Sequence, residues 1–390
     1  MNRNLWLLTI CQGLFLTNNV TFIAINGLVG LSLAPLGWMA TLPVMAYVVG
    51  GALSTGLVAH TQRRFGRKAS FQLGLLVGLA SALLCCYAAY SRNFWLLVAA
   101  TLVAGYYNAN AQLYRFAAAE LALPAFREKA ISLVMAGGLI GAVAGPNLAS
   151  ATRSLTAVPF AGAYLALAGV ALLAMGLLAF IDFPAAPARS GASSGGRPLG
   201  VIMRQPVFIV AASAGALGYG VMNLLMAATP IAMQVCGLPF SDVAWVLEWH
   251  VIGMFAPGFF TGHLIKRFGT LPVMATGLAL NIACVLIALS GVEFKQFLAA
   301  LFLLGLGWNF LFTGATTLAL TAYRPEEKDK AQGALNFCVF AVLAVSSLAS
   351  GVLVTTQGWT LLNVGSLLPL SLTGLALGWL AVSQRRPHRV

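Results

Sequence analysis

Met222 and Met226 stand four residues apart inside one long apolar stretch, and His250 and Met254 stand four apart inside the next. In a helix that spacing puts each pair on one face. Thioether sulfur and imidazole are soft to borderline ligands, a set that suits Cu(I) and few other biological metals. A histidine inside a membrane helix is costly and marks a functional site by default. The chemistry these four side chains could do together is to hold a soft metal ion.

Two successive spans must position them. The first reads over 206–234 and the second over 242–263, with their outer ends near Gln234 and Asp242. Met226 and His250 then lie roughly 12 Å below those ends, and Met222 and Met254 roughly 18 Å below, at about 1.5 Å per residue. Antiparallel neighbours would bring three thioethers and one imidazole to one place. Met233 lies on the same face as Met226, and Cys236 follows at the mouth. The two read equally as an access path for a soft ion and as packing. The plain alternative for the four main residues is that the methionines fill gaps and His250 bonds a backbone carbonyl.

The bilayer is the solvent for this chain. Of its 390 residues 60% are hydrophobic and only 8% charged, with a mean hydropathy of +0.89. Such a composition excludes a soluble globular domain. Continuous apolar runs predict helices rather than strands. About twelve spans are expected, over 5–28, 37–59, 69–90, 94–118, 130–151, 159–181, 206–234, 242–263, 271–291, 296–320, 331–353 and 359–382. The first run reads as a retained span, not a removed signal peptide. The net charge of +13 is topology rather than a sign of nucleic acid. With both termini cytoplasmic, only Arg92, Arg153 and Lys295 fall outside and Arg115 within a span; the other Lys and Arg lie in cytoplasmic segments, the positive-inside pattern. The six cysteines show no disulfide framework and no zinc spacing.

A Pro-, Gly- and Ser-rich linker over 182–205 divides the chain into bundles at 1–181 and 206–390. A repeat supports the division. Ala59–Gly66 reads Ala-His-Thr-Gln-Arg-Arg-Phe-Gly, and Gly262–Gly269 reads Gly-His-Leu-Ile-Lys-Arg-Phe-Gly. Residues 59 and 262 are 203 apart. The same offset maps Met222, Met226, His250 and Met254 onto Asn19, Ile23, Tyr47 and Gly51, so the scaffold does not demand Met or His there.

Arg64-x-Gly66-Arg67-Lys68 resembles the loop signature Gly-x-x-x-Asp-Arg-x-Gly-Arg-Arg/Lys of the major facilitator superfamily. Ala59 and Arg63 stand where the signature has Gly and Asp, so the loop lacks its acidic member. Gly137, Gly138, Gly141, Gly145 and Pro146 resemble that superfamily's glycine-rich fifth helix. The resemblance implies an all-α membrane protein of two six-helix halves working by alternating access. Within it, Met222-x-x-x-Met226 followed by His250-x-x-x-Met254 resembles the CcoA-type bacterial copper importers. That resemblance implies copper, free or chelated, carried into the cytoplasm across the bacterial inner membrane to supply cbb3-type cytochrome c oxidase; no cofactor and a monomer are expected. Gly305–Phe310 resembles the same branch, but related riboflavin transporters share it.

Other residues admit other readings. Tyr106, Tyr107, Asn108, Asn110 and Gln112 crowd the fourth span, with Asn18 and Asn19 in the first. They either glue helices or face a cavity that suits an organic solute such as a flavin, the alternative substrate. Glu248 reads as interfacial beside Trp245 and Trp249, and otherwise as a proton carrier. Arg115 reads as a snorkelling cation with Glu120 within reach. The loop Arg324–Lys330 reads as a solvated charge cluster, and the tail Arg385–Arg389 as an anchor on anionic lipid. No Walker-type loop, nucleophile–base set or His-Glu-x-x-His motif is present, so neither ATP-driven transport nor an enzyme is expected. A non-transporting copper sensor is the remaining alternative, against which two full repeats argue.

Overall fold

The computed structural model describes residues 3–123, 126–183, 196–324 and 327–385. Most of the expected linker, Arg189 included, and the tail residues Arg386, Pro387, His388 and Arg389 lie outside the described residues. In chain order the helices are α1 (Arg3–Leu33), α2 (Leu42–Tyr90), α3 (Phe94–Ala111), α4 (Tyr114–Leu121), α5 (Arg127–Ala136), α6 (Gly138–Thr152), α7 (Ala161–Ala179), α8 (Leu199–Met203), α9 (Pro206–Val235), α10 (Phe240–Phe255), α11 (Gly258–Phe268), α12 (Thr270–Ser290), α13 (Phe294–Ala319), α14 (Lys328–Thr356) and α15 (Gly358–Arg385). No strand occurs among the described residues.

Among the described residues nine helical segments are long and apolar enough to cross a bilayer, and ten if α10 and α11 form one span bent by 43°. The expected twelve are reached through two further features. One is α2, whose 49 residues would extend about 74 Å, more than twice a hydrocarbon core of about 30 Å. It is broken at Gly66, where φ is 79° and ψ 173°, a region open only to glycine. The other is α3 and α4, parted at Gln112 and Leu113, which together make the fourth span.

The repeat recurs in three dimensions. Gly269 has φ 90° and ψ 162°, the conformation of Gly66 at the same offset. The Arg64 guanidinium lies 5.4 Å over the Phe65 ring and that of Arg267 5.2 Å over Phe268. A Cβ at Gly50 would meet the Leu102 carbonyl, and one at Gly253 the Phe302 carbonyl. The second span therefore packs on the fourth as the eighth packs on the tenth, backbone against backbone.

Within the first half α2 packs on α3 and α7, and α1 on α6; within the second α9 packs on α14 and α13, and α13 on α10 and α12. The halves meet through α6 with α10, α14 with α2, and α1 with α9. In the most apolar window of α1 78% of residues are buried, against 28% in α15. The first helix is thus central and the last faces lipid, since a helix apolar all round belongs inside or in a membrane.

Candidate functional site

At one end of the junction of the halves side chains bond across it, and at the other the hydrogen bonds and ion pairs among the described residues stay within a half. At the end away from the basic loops, Thr41 Oγ1 donates to Ser347 O at 2.6 Å and accepts from Gly351 N at 3.0 Å. Asn147 Nδ2 donates to Glu248 Oε2 at 2.7 Å. Phe160 meets Phe240 edge-on at 5.1 Å, and the Arg153 guanidinium lies over both rings. Glu248 is therefore half-buried and tied across the junction, not simply interfacial, although Trp245 and Trp249 beside it are exposed.

At the basic end the ties stay within a half. Arg67 pairs with Glu120, Asn4 donates to Asp182 O, and Gln205 donates to Ala322 O. Glu120 thus belongs to Arg67, whose position beside Gly66 aims it at α4, and not to Arg115. In α11 only Thr261 is buried. Thr55, Gly56 and Leu57 are exposed in succession on α2. At 100° per residue such a run exposes more than one side of the helix.

Four aromatic side chains gather midway along the second half's face of this junction. Trp308 on α13 stacks on Phe312 with centroids 5.2 Å apart and planes 9° from parallel. Tyr219 on α9 stands edge-on to both, at 5.1 Å and 5.2 Å. Phe255, at the α10–α11 break, lies 6.3 Å from Trp308. Trp308 is buried with its Nε1 donor unpartnered, while Tyr219, Phe255 and Phe312 are half-buried. From the first half, the Arg115 guanidinium lies 4.9 Å over the ring of its neighbour Phe116, and its charge is felt at Tyr219. Its Nε is buried and has no hydrogen-bond partner.

The break beside Phe255 is built by Pro257, which lacks an N–H, and is held from α13. Asn309 Nδ2 donates to Met254 O at 2.7 Å, and Asn309 Oδ1 accepts from Thr261 Oγ1 at 2.7 Å. Asn309→Leu leaves a buried carbonyl without its donor, at a cost of about 1–3 kcal/mol. A lower melting temperature of the purified protein is expected; an unchanged one would show that the bend does not depend on Asn309.

Met222, Met226 and Met254 are buried in one core cluster that joins the halves, and His250 is fully buried. His250 Nδ1 lies 2.6 Å from Leu301 O. A carbonyl only accepts, so Nδ1 carries the proton, and Nε2 is a buried acceptor with no partner. α10, which carries His250, packs chiefly on α13 and α6 and more lightly on α9 with its methionine pair. Met233 is fully buried in the same cluster, and Cys236 is exposed beyond the end of α9. No group of three or more His, Cys, Asp or Glu that could hold a metal occurs among the described residues. In the fourth span the polar crowd is mostly glue: Tyr106 OH is 3.0 Å from Thr61 Oγ1, and Asn110 Oδ1 accepts from Ser70 at 2.9 Å. Gln112 remains exposed.

The sequence profile of the major facilitator superfamily matches residues 5–247 and 211–390. The chain belongs to the major facilitator superfamily. It is a multi-pass membrane transporter, not an enzyme. The riboflavin transporter RfnT of Brucella anthropi is 40% identical over 363 residues, covering 93% of this chain and 91% of that protein. The uncharacterised transporter YddS of Bacillus subtilis is 28% identical, over 86% of this chain and 81% of its own. Among solved structures the human organic anion transporter MFSD10 superposes with a TM-score of 0.67 at 16% identity, over 95% of this chain and 99% of its own. An auto-inhibited POT family peptide transporter superposes with 0.68 at 11%, over 100% and 98%. These two likenesses show the fold alone.

Copper import, expected from the two four-residue pairs, is overturned by the riboflavin transporter that matches nearly the whole chain. The supply of cytochrome oxidase and the copper sensor fall with it. The four-residue spacing does not by itself signal copper: methionines four apart on a buried helix face also fill gaps, and His250 Nδ1 bonds a backbone carbonyl.

Proposed function

We propose that this chain is a riboflavin transporter of the bacterial inner membrane, carrying the flavin into the cytoplasm by alternating access. The observation that carries the reading is the 40% identity to RfnT over 93% of this chain, which spans both halves. The bundles 1–181 and 206–390 are the moving bodies, and 182–205 is the linker between them. The positive-inside rule puts the basic loops and both termini in the cytoplasm. The described conformation is then the inward-facing one, closed outside by Thr41, Asn147, Glu248 and Phe240. Met222, Met226, His250, Met254 and Met233 form the buried layer between that closure and the aromatic group. Cys236 sits at the outer mouth.

The test is growth of a bacterial riboflavin auxotroph expressing this chain on limiting riboflavin, with uptake of labelled riboflavin measured beside it. Growth and saturable uptake above the empty-vector strain are expected. Background uptake from a chain shown by blot to be inserted would sink the riboflavin reading.

A further inference from the structure

We infer that Trp308, Tyr219, Phe312, Phe255 and Arg115 form the binding site for the planar ring of a heteroaromatic solute bearing ring carbonyl oxygens. This rests on the proposed transport function and deepens it by assigning residues. The first support is convergence. Three helices of one half bring four rings together, three of them at one depth and Phe312 one turn nearer the basic end. Tyr219 lies 13 residues from the basic end of α9, Trp308 lies 11 from that of α13, and Phe255 lies 13 from that of α11, each roughly 17–20 Å at 1.5 Å per residue. A flat ring entering from the basic end would meet three half-buried rings and the buried Trp308, and base-to-aromatic stacking of this kind tolerates any flat π-surface.

The second support is polar and independent of the rings. Trp308 Nε1 and Arg115 Nε are buried donors without partners among the described residues. They come from opposite halves, and a buried donor left unpaired is costly. Both are donors only, so the missing group is an acceptor. Ring carbonyl oxygens supply such acceptors in the plane of the same ring that the aromatics stack, whereas the hydroxyls of an aliphatic polyol accept but bring no flat surface. Arg115 stands only 6 residues from the basic end of α4, below the rings, where it meets the solute from the first half. A ligand bound by both would tie the two halves together.

The experiment uses the full-length protein purified in detergent. Quenching of tryptophan and flavin fluorescence is titrated with riboflavin, with lumichrome (the ring without its sugar-alcohol tail) and with ribitol (the tail alone). The variants are Trp308→Leu and Arg115→Gln, with Trp379→Leu as an exposed control and melting temperatures to verify folding. Wild type is expected to bind riboflavin and lumichrome, with ribitol unable to compete. Trp308→Leu weakens both at least tenfold, Arg115→Gln severalfold, and Trp379→Leu leaves affinity unchanged. Riboflavin binding that survives both site variants would overturn the site and leave the riboflavin reading standing. Lumichrome binding that is lost in Trp308→Leu, without riboflavin binding, would keep the site and remove riboflavin as the solute. No binding of either ring compound by folded wild type would overturn both.

Discussion

Gly305→Leu is expected to yield no folded protein. A Cβ at Gly305 would run into the backbone carbonyl of His250, with Met254 N and the Gly253 carbonyl carbon also within contact distance. All three neighbours are main chain, so no rotamer change can make room. The helices concerned are pinned there as well, since His250 Nδ1–H donates to Leu301 O and Asn309 to Met254 O. Overpacking a side-chain-lined core costs about 1–3 kcal/mol, and separating two helix backbones also breaks those bonds. Gly305→Ala should lower the melting temperature, and Gly305→Leu should abolish the monodisperse peak in fluorescence-detected size exclusion. Gly56→Ala and Gly262→Ala, where a Cβ meets nothing within 4 Å, should match the wild type. A folded Gly305→Leu protein with an unchanged melting temperature would refute the close approach of α10 and α13.

Glu327→Ala should destabilise the basic end of the second half and flatten its pH dependence. The loop Arg324–Lys330 read as a solvated cluster, yet Glu327 is fully buried. Its carboxylate accepts from Arg197 N, Nε and Nη2 at 2.7, 2.9 and 2.7 Å and from Arg324 N at 3.0 Å. Lys330 Nζ donates to Arg197 O at 2.6 Å. A carboxylate so supplied with donors is favoured in its charged form, and the Arg197 guanidinium first, then the Arg324 amide, holds it well below the ordinary carboxylate range. A depressed folded-state pKa means that the unfolded chain binds the proton more readily. The stabilisation is therefore complete above the ordinary carboxylate pKa of about 4.5 and drains away as pH falls below it. Melting temperatures from pH 7 downwards should drop more steeply below that point for wild type than for Glu327→Gln or Glu327→Ala. Parallel curves would show that the pair contributes no pH-dependent stability.

The membrane class, the helical content and the repeat were legible because they depend on composition and periodicity, which the bilayer enforces locally. Every span must satisfy its own backbone, so apolar length alone marks it. The repeat was readable because Gly66 and Gly269 meet a backbone demand that no other residue type meets. The loop signature at Arg64–Lys68 pointed to the right superfamily for the same reason.

What a side chain faces was not legible. Spacing of four puts Met222 with Met226, and His250 with Met254, on one face of a helix. It does not say which neighbour that face meets, and α10 turned towards α13 and α6. Glu248 looked interfacial and Glu327 solvated because charge in a linear chain carries no record of its partner, Asn147 in one case and Arg197 in the other. The aromatic group is the strongest instance. Tyr219, Phe255, Trp308 and Phe312 are scattered over nearly a hundred residues of apolar sequence in which any ring passes as core. Only the convergence of α9, α10 and α13 brings these rings into contact. Segment by segment, sequence determines what each stretch is, because helix formation in a membrane is local; the site is a property of contacts between segments, which only the packed tertiary structure decides.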